Sequence, residues 1–346
     1  MVKVALVKCK SYVQAEVKSS IHRALELIGG VERIIKPTQK ALLKINLLLA
    51  KEPEYAVTTH PIIVKAVAEL VKELGAIPVV GESSGGVDTT ERAFEVCGIK
   101  KICSENGIEI INFERMPTTE TAIQAVGRAL PLAKPLFDAD IVVSLPKLKT
   151  HTYMLYTGAV KNFFGALPGD WKNLAHRLAQ EPSKFANLLL DILLIIKPKL
   201  AIMDGVVGME GNGPSAGKPI ATNLILASED CLALDFVACK LIGYNPLGVY
   251  VIREALRRKL FEPEEIEVVG EKLEKVRIDF KKPVSELSKN VSPKVDPKKC
   301  RQCWLCVNSC PVNALSKNKF PILDKKKCIQ CYCCHELCPE SAVILR

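Results

Sequence analysis

The sequence predicts an α/β fold, with a mostly parallel sheet covered by helices on both faces, followed by a small cysteine-rich α+β domain. Over residues 1–280, short aliphatic segments alternate with longer segments of helical periodicity, which is typical of parallel strands joined by crossover helices. Nine of the fourteen cysteines lie within residues 300–338. Because 48% of the residues are hydrophobic but only 5% are aromatic, we expect an aliphatic core.

The predicted elements follow from periodicity and from stop signals. Gly29-Gly30 and Gly75 end two helices, and Pro61 fits a first helical turn. Asp88 or Thr89 is expected to cap the helix that runs to Val96. The predicted strands are 2–7, 40–45, 77–80, 108–113, 141–145, 200–203 and 224–227, and the other predicted helices are 13–28, 62–74, 183–196 and 230–242.

The domain boundaries follow from composition. Residues from Lys281 onward become rich in Lys, Pro, Ser and Asn and lose their periodicity, which indicates a linker. We therefore predict an α/β domain over 1–280, a linker over 281–293 and a cysteine-rich domain over 294–346.

The cysteine-rich domain contains one motif twice, at an offset of 28 residues. Each copy reads Cys-x2-Cys-x2-Cys-x3-Cys-Pro, beginning at Cys300 and at Cys328. This is the bacterial-type spacing of [4Fe–4S] ligands, and residues 294–346 resemble bacterial-type dicluster ferredoxins. Zinc-ribbon spacing differs, and disulfides would require an oxidising compartment.

The resemblance implies two [4Fe–4S] clusters that exchange their fourth ligand between the repeats. Cluster I would then be held by Cys300, Cys303, Cys306 and Cys338, and cluster II by Cys328, Cys331, Cys334 and Cys310. Cys333 is an extra thiol, expected to be a packed bystander or an alternative ligand. The scattered Cys9, Cys97, Cys103, Cys231 and Cys239 are expected in the core.

Charge and hydropathy restrict partners and location. The formal net charge is +10, and residues 281–346 hold 13 Lys and Arg against 5 Asp and Glu. A solvated surface or the docking of an acidic redox partner would explain this basic region, whereas no nucleic-acid-binding motif is present. The longest apolar run, 188–196, is too short to span a membrane, and the N-terminus lacks a signal-peptide pattern. We expect a cytoplasmic protein in a reducing, anaerobic cell.

Candidate ligand-binding residues follow the predicted strands. Lys44 and Asn46 end the second strand on one face, although Lys44 also fits a solvated strand end. Gly81-Glu82-Ser83-Ser84-Gly85-Gly86 follows the third strand and offers backbone and hydroxyl donors to an anion, or it is a connecting loop.

Two further segments contain more charged and polar residues that could bind a ligand or react with it. In 146–152, Lys147, Lys149 and His151 form a predicted basic loop, and Lys161-Asn162 follow shortly after. Together they suit a carboxylate or phosphate substrate, with His151 as proton donor, or the loop is only a solvated basic loop. The glycine-rich segment 204–218 is predicted to be a loop in which Asp204 and Glu210 bind a metal, act as acid or base, or brace the loop, with Asn212 beside them.

Residues 1–270 resemble the family catalogued as domain of unknown function 362. The resemblance rests on Lys44-x-Asn46-Leu47, Gly81-Glu-Ser-Ser-Gly-Gly86, Pro146-Lys-x-Lys-Thr-His151, Gly158-x2-Lys161-Asn162-x2-Gly165 and Asp204-Gly-x2-Gly-x-Glu210-Gly-x-Gly-Pro214. It implies the domain layout, including the fused ferredoxin module, and assigns no catalytic residue.

The first functional hypothesis is an oxidoreductase in which electrons pass from the ferredoxin domain to an anionic substrate in the large domain. Lys44, Lys147, Lys149 and Lys161 would neutralise the substrate, and His151, Glu82 or Glu210 would handle protons. The sequence shows no flavin or nicotinamide fingerprint, so a further organic cofactor stays unknown. The alternatives are a non-catalytic electron relay or scaffold within a larger complex, and a non-redox enzyme with structural clusters.

Overall fold

The structure has a strand at each position where the sequence predicts one, and it has further strands that were not predicted. The computed structural model describes residues 1–86, 89–288 and 291–346. The strands are β1 (Val2–Lys8), β2 (Lys40–Ile45), β3 (Ile77–Glu82), β4 (Glu109–Asn112), β5 (Thr118–Ile123), β6 (Arg128–Ala133), β7 (Ile141–Leu145), β8 (Lys147–His151), β9 (Leu155–Thr157), β10 (Leu200–Glu210), β11 (Lys218–Ser228), β12 (Ile266–Gly270), β13 (Pro293–Val295), β14 (Leu315–Ser316), β15 (Ile322–Leu323) and β16 (Val343–Leu345).

The helices lie mainly between the strands of the large sheet. They are α1 (Gln14–Leu27), α2 (Pro61–Glu73), α3 (Thr90–Val96), α4 (Ile99–Glu105), α5 (Pro135–Asp138), α6 (Ala159–Asn162), α7 (Trp171–Leu178), α8 (Pro182–Ile196), α9 (Cys231–Leu241), α10 (Tyr250–Arg257), α11 (Leu273–Val276), α12 (Val284–Leu287), α13 (Leu305–Asn308) and α14 (Cys333–Glu336).

A ten-stranded, mostly parallel sheet organises the large domain, as the sequence predicts. Its strand order is β12-β1-β11-β10-β7-β2-β3-β4, with β8 paired to β10 and β9 paired to β8. Within the described residues, β11 and β9 run antiparallel to their neighbours. Side chains alternate between the faces, so Leu42 enters one buried cluster and Leu43 the other. Helices α1–α4 cover the second face, and α8–α10 cover the first.

The strand order reverses direction next to β2. The chain runs outward from β2 through β3 to β4 and then returns to β7 on the other side of β2. In an open parallel sheet, such a reversal leaves a crevice at the carboxyl ends of the two strands, where ligands bind. The ends of β2 and β7 therefore define the expected position of a site.

Two predicted loops are strands instead. Residues 147–151 form β8, buried throughout, because they pair in parallel with β10 and antiparallel with β9. The glycine-rich segment continues the strand β10 to Glu210, with an irregularity in its pairing with β11 between Gly205 and Val207. The interpretation of 146–152 as a solvated basic loop is wrong, since Lys147 and Lys149 are each 1% exposed.

The predicted cap of α3 is also only partly described. Asp88 lies outside the described residues. Thr89 precedes α3 but makes no side-chain capping bond; its hydroxyl donates to the Gly86 carbonyl at 2.9 Å. The five scattered cysteines are buried, as expected of core residues.

The segment predicted as a linker contacts the large domain over its described part. The backbone N–H of Lys281 donates to Glu210, and that of Val284 donates to Asn212 Oδ1 at 2.9 Å. Pro293 begins β13, which pairs with β16 of the cysteine-rich domain. The exact domain boundaries stay a prediction.

Candidate active site between the sheet and the cysteine-rich domain

The cysteines gather into the two sets that ligand exchange requires. Cys300, Cys303, Cys306 and Cys338, hereafter the first cysteine set, line one cavity of the C-terminal domain. A second cavity is lined by Cys310, Cys328, Cys331 and Cys334, hereafter the second cysteine set. In the described part of the chain, no group of three or more His, Cys, Asp or Glu side chains is placed to hold a single metal ion. Each set lines a cavity, as the ligands of a cluster would.

The backbone around both sets repeats with the sequence. Gln302, Trp304 and Asn313 have positive φ angles of 60°, 61° and 51°. Their repeat partners Gln330, Tyr332 and Ser341 have 53°, 60° and 48°. Non-glycine residues rarely adopt this left-handed conformation, so its recurrence at equivalent positions indicates a shared requirement to wrap a bound group.

Hydrogen bonds to sulfur follow the same repeat. The N–H of Ala314 donates to Cys310 Sγ at 3.1 Å, and that of Ala342 donates to Cys338 Sγ at 3.2 Å. Such N–H···S bonds stabilise thiolates that bind iron and tune cluster potentials. The residues present therefore fit a cluster at each set.

The cysteine-rich domain packs onto the carboxyl edge of the large sheet. Leu337 is buried against Leu49, Val57 and Met209 of the large domain. Next to it, Ser215 donates through Oγ to the backbone carbonyl of Glu336 at 2.5 Å. The loop of the second cysteine set is thereby fixed over the crevice at the end of β2.

A partly open pocket with a volume of about 70 Å³ lies at this contact. We call it the lysine pocket. It is much smaller than the ~300–1,000 Å³ sites of drug-sized ligands, so its occupant must be small. Its polar lining from the large domain is Asn46, Glu82, Ser83, Lys149, Thr157, Lys161, Asn162, Lys172, Asn173 and His176, and the cysteine-rich domain contributes Cys333, Glu336 and Leu337.

A buried ion pair lies below the lysine pocket. Lys44, fully buried, binds the Glu82 carboxylate and donates to the carbonyls of Ile45 at 3.0 Å and Asn162 at 2.9 Å. Burial lowers the pKa of Lys44 and raises that of Glu82, and each opposes the shift of the other. A Cβ at Gly165 would lie 1.8 Å from Glu82 Oε1, so glycine is needed there for the carboxylate to fit.

Three lysines of the lysine pocket have no such partner. Lys149 donates to the Val57 carbonyl at 2.7 Å, Lys172 donates to Ser83 Oγ at 2.6 Å, and Lys161 Nζ lies 5.4 Å from the Phe164 ring centroid. No carboxylate among the described residues comes within ion-pair distance of any of the three. Burial lowers the pKa of Lys149 well below its usual value, lowers that of Lys161, and lowers that of Lys172 to about 8.

Unpartnered polar atoms lie beside these lysines. Within the described residues, Asn46 Oδ1, Asn162 Oδ1 and His176 Nδ1 are buried without a hydrogen-bond partner. Asn162 is otherwise fixed, because its Nδ2 donates to the Lys44 carbonyl at 2.8 Å and to Ser144 Oγ at 3.1 Å. Buried polar atoms are normally paired, so these three mark places where a ligand is expected to bind.

Asp235 positions the helix that carries Lys161. Its carboxylate accepts from the N–H of Ala159 at 2.7 Å, from that of Val160 at 3.0 Å, and from Tyr156 Oη at 2.9 Å. Burial nevertheless raises the pKa of Asp235 to about 7. No local pattern connects Asp235 with the site, because its hydrogen bonds join α9 to residues about 75 positions earlier in the chain.

Several predicted site residues lie elsewhere. Lys147 binds Asp204 at 2.7 Å, and Tyr12 and the His60 N–H also donate to that carboxylate, so Asp204 is a buried brace. Ser84 is bonded to Thr89 and Thr90. Glu210 and Asn212 hold the segment from Lys281 to Val284.

The predicted proton donor His151 is buried outside the lysine pocket. Its Nδ1 accepts from the N–H groups of Tyr153 at 3.0 Å and Met154 at 3.3 Å. Burial lowers the pKa of His151 well below its usual value, so the ring is neutral and its 3.3 Å approach to Glu336 is not an ion pair.

The sequence analysis did not connect four further residues with this pocket. Lys172 and His176 occupy one face of α7, a helix that was not predicted, and their spacing of four residues was the available signal. Glu336 and Cys333 belong to α14 and reach the lysine pocket only because the cysteine-rich domain folds back. Burial raises the pKa of Glu336 to about 7.

Comparison with known proteins agrees with this architecture. Residues 41–240, more than half of the chain, match the profile of the domain of unknown function DUF362, and residues 293–316 match that of the 4Fe–4S binding domain. A thylakoid-associated protein of Synechocystis sp. is 35% identical over 293 residues, which cover 80% of this chain and 90% of that protein. The chain also resembles the lactate racemase apoprotein of Thermoanaerobacterium thermosaccharolyticum, at 11% identity and a TM-score of 0.47, over 70% of this chain and 56% of that one.

The described residues contain no helix with both the length and the apolar character that a bilayer span requires. The predicted cytoplasmic location is untested. The matched 4Fe–4S domain and its cysteines make the protein an iron–sulfur protein of electron transfer. Because the DUF362 profile matches more than half of the chain, the chain belongs to the family of the domain of unknown function DUF362, here fused to a 4Fe–4S binding domain.

Proposed function

We propose that the protein is an oxidoreductase that passes electrons from its iron–sulfur domain to an anionic small molecule, a carboxylate or phosphate, held in the lysine pocket. The observation that carries this proposal is the trio Lys149, Lys161 and Lys172. All three line the lysine pocket, none of them forms a salt bridge with a carboxylate among the described residues, and the loop of the second cysteine set forms another part of the pocket wall.

The energetics of burial favour an anionic occupant. Transferring an ammonium group from water into a protein interior costs several kcal/mol unless an opposite charge compensates. Lys44 and Lys147 form direct ion pairs with Glu82 and Asp204, whereas the trio is acted on only by carboxylates without a direct ion pair, Glu336 for Lys149 and Lys161 and Glu82 and Glu114 for Lys172. A carboxylate or phosphate would accept charge-assisted hydrogen bonds from the trio and restore the balance.

The iron–sulfur groups fit the electron-transfer part of the proposal. Two [4Fe–4S] clusters, one at each cysteine set, would supply electrons one at a time. The chain itself binds and orients the anion, excludes water through the contact of Leu337, and offers the carboxyl groups of Glu82 and Glu336 at the pocket wall. Electrons would come from an acidic carrier protein, attracted by the basic C-terminal region.

The test combines native mass spectrometry of anaerobically purified protein with thermal unfolding in the presence of inorganic phosphate, malonate and succinate. We expect a retained or added anion to raise Tm for the wild type. Lys161→Met and Lys172→Met should lose that increase while retaining their iron content, and Lys101→Met, an exposed helix lysine, should keep it. An anion effect that persists in both pocket variants would refute the pocket as the binding site.

A relay without catalysis is the second candidate. It is favoured by the exposed lysines that precede both cysteine sets, Lys298-Lys299 and Lys325-Lys326-Lys327, since a relay must dock two partners. If the lysine pocket binds no anion, and charge reversal at these lysines alone slows electron exchange with an acidic ferredoxin, the relay is the better description.

A further inference from the structure

We infer, resting on the proposed function, that the two cysteine sets have different electron-transfer partners. The first set exchanges electrons with an acidic carrier protein, and the second set exchanges them with the anion in the lysine pocket. Lys149 and Lys161 are then positioning residues that couple the charge of the bound anion to the reduction potential of the second cluster.

Equivalent residues of the two repeats differ in exposure. Cys303 is exposed, whereas its repeat partner Cys331 is 8% exposed. Trp304 is half-buried, whereas its partner Tyr332 is buried in the core of the large domain and donates to the Val291 carbonyl at 3.2 Å. Because the sequences are repeats, this asymmetry comes from the way the domain packs and not from the motif.

The second set faces the lysine pocket. Cys333 lies between Cys331 and Cys334, two members of the set, and lines the pocket directly. Lys161 lines the same pocket as Cys333 and Glu336 of the loop of the second cysteine set. Cys333, whose side chain contacts that of Cys331, therefore links the second set to the pocket wall.

The first set lies within the cysteine-rich domain, where Leu305, between Cys303 and Cys306, packs against the cluster of Leu49 and Leu337. Its cavity is lined by residues between Val295 and Val343 alone, all from the cysteine-rich domain. Lys298 and Lys299 precede it and are exposed, and Lys317 Nζ lies 5.9 Å from the ring of Trp304, which lines the same cavity. Exposed lysines precede the second set too, so it is the exposed ligand Cys303 that suits the first set to a carrier protein with an acidic docking face. Each docking event would oxidise the carrier by one electron and reduce the chain by one.

A charge coupling follows from this placement. A positive charge near a cluster stabilises its reduced form, and an anion that neutralises Lys149 and Lys161 removes that stabilisation. Occupancy of the lysine pocket should then lower the potential of the second cluster and leave the first unchanged. By linkage, the anion binds more weakly, by about fivefold or more, when the second cluster is reduced.

The experiment is a redox titration of the anaerobic protein followed by electron paramagnetic resonance, using wild type, Lys161→Met and Lys317→Met. The two substitutions should lower different midpoint potentials, because each removes a positive charge beside a different set. Malonate at a saturating concentration should lower the midpoint that responds to Lys161→Met, and only in proteins that retain Lys161.

The outcomes separate this inference from the proposed function. If both substitutions shift the same midpoint potential, or neither shifts any, the assignment of different partners to the two sets is wrong, even when the pocket binds anions. If they move different midpoints but malonate, phosphate and succinate bind nowhere, the assignment stands as a property of the fold and the proposed substrate class fails. A malonate shift of both midpoints equally would overturn the coupling through Lys161.

Discussion

Thr152 donates a hydrogen bond to Glu336 Oε1 at 3.3 Å, across the contact between the large sheet and the cysteine-rich domain. Thr152 directly follows the buried strand β8, and Glu336 ends α14 in the loop of the second cysteine set. The two domains are therefore joined by buried polar and apolar contacts at the lysine pocket. This makes the pocket sensitive to docking as well as to its own residues.

Leu49→Ala should weaken that docking. Leu49 is 3% exposed and packs against Leu337 at the domain contact, so truncation leaves a cavity and should lower the free energy of unfolding by ~2–5 kcal/mol. Leu247→Ala is the matched control, since Leu247 is 56% exposed and should change stability by about 0.5 kcal/mol or less. Urea unfolding and protease cleavage within 281–292 are the measurements. Equal behaviour of the two variants would show that Leu337 does not secure the domain.

Lys44→Met should be strongly destabilising. It leaves the buried Glu82 carboxylate uncompensated, for which ~3–5 kcal/mol is expected. The double variant Lys44→Met, Glu82→Gln should be less destabilised than the sum of the single variants, because it removes the unpaired charge. Lys134→Met, at an exposed pair with Asp138, serves as control and should cost under about 1 kcal/mol. Strict additivity in the double-mutant cycle would argue against a coupled pair.

Local sequence signals predicted the elements of the fold better than their ends. β2 and β7 were predicted residue by residue, because each is an aliphatic run bounded by polar residues. The failures at 147–151 and 204–210 have one cause: glycine and lysine disfavour strands locally, but pairing between β8 and β10 overrides that preference. Periodicity cannot report such a pairing, because it depends on residues that are distant in sequence.

The candidate site shows the same limit. Lys44, Asn46, Glu82, Ser83, Lys149, Lys161 and Asn162 were predicted from their positions after strands, and the structure places them at or beneath the lysine pocket. Lys147 and Lys149 lie two residues apart on β8, yet their partners differ. Lys147 binds the Asp204 carboxylate, whereas Lys149 donates to the Val57 carbonyl. Lys172 and Glu336 depend on helix placement and domain docking, which no local pattern encodes.

Asp235 should make stability depend on pH. Burial raises its pKa from 3.8 to about 7 in the folded state, so the unfolded state loses its proton first as pH rises. The stabilisation that protonated Asp235 contributes is fully present below the unfolded pKa of 3.8. It declines as pH rises toward about 7 and is then lost. Asp235→Asn removes this titrating proton. The slope of the free energy of unfolding against pH should therefore be smaller by about 1.4 kcal/mol per pH unit within that window.

Urea unfolding from pH 4 to pH 8 measures the effect. Some slope should remain in Asp235→Asn, because burial raises the pKa of Glu336 to about 7 as well. Asp138→Asn, at the exposed end of α5, should keep the wild-type slope. A slope in Asp235→Asn equal to that of wild type would mean that Asp235 is ionised throughout.

Anion affinity should decrease as pH rises through about 8. Burial lowers the pKa of Lys172 to that value, and an anion binds the ammonium form, so the affinity should fall by up to about tenfold per pH unit above it. Malonate titrations followed by Tm between pH 6 and pH 10 would show this limb. Lys172→Met should bind more weakly at pH 7 and should lack the limb near pH 8, whereas Lys101→Met should reproduce wild type. A pH-independent affinity would indicate that Lys172 does not contact the anion.

Cys310→Ser should damage the cluster of the opposite repeat. Cys310 belongs to the first motif, yet the structure places it with Cys328, Cys331 and Cys334. Iron analysis should show a loss of about four irons, those of one cubane. Adding Cys331→Ser to this variant should cause no further loss, because both residues would serve the same cluster. Adding Cys303→Ser should remove the remaining iron, because Cys303 belongs to the other set. The reverse pattern would mean that each motif binds its own cluster.

Cys333→Ser should retain all iron, since Cys333 lies in the pocket wall, outside both cavities. Loss of iron in this variant would make Cys333 a ligand.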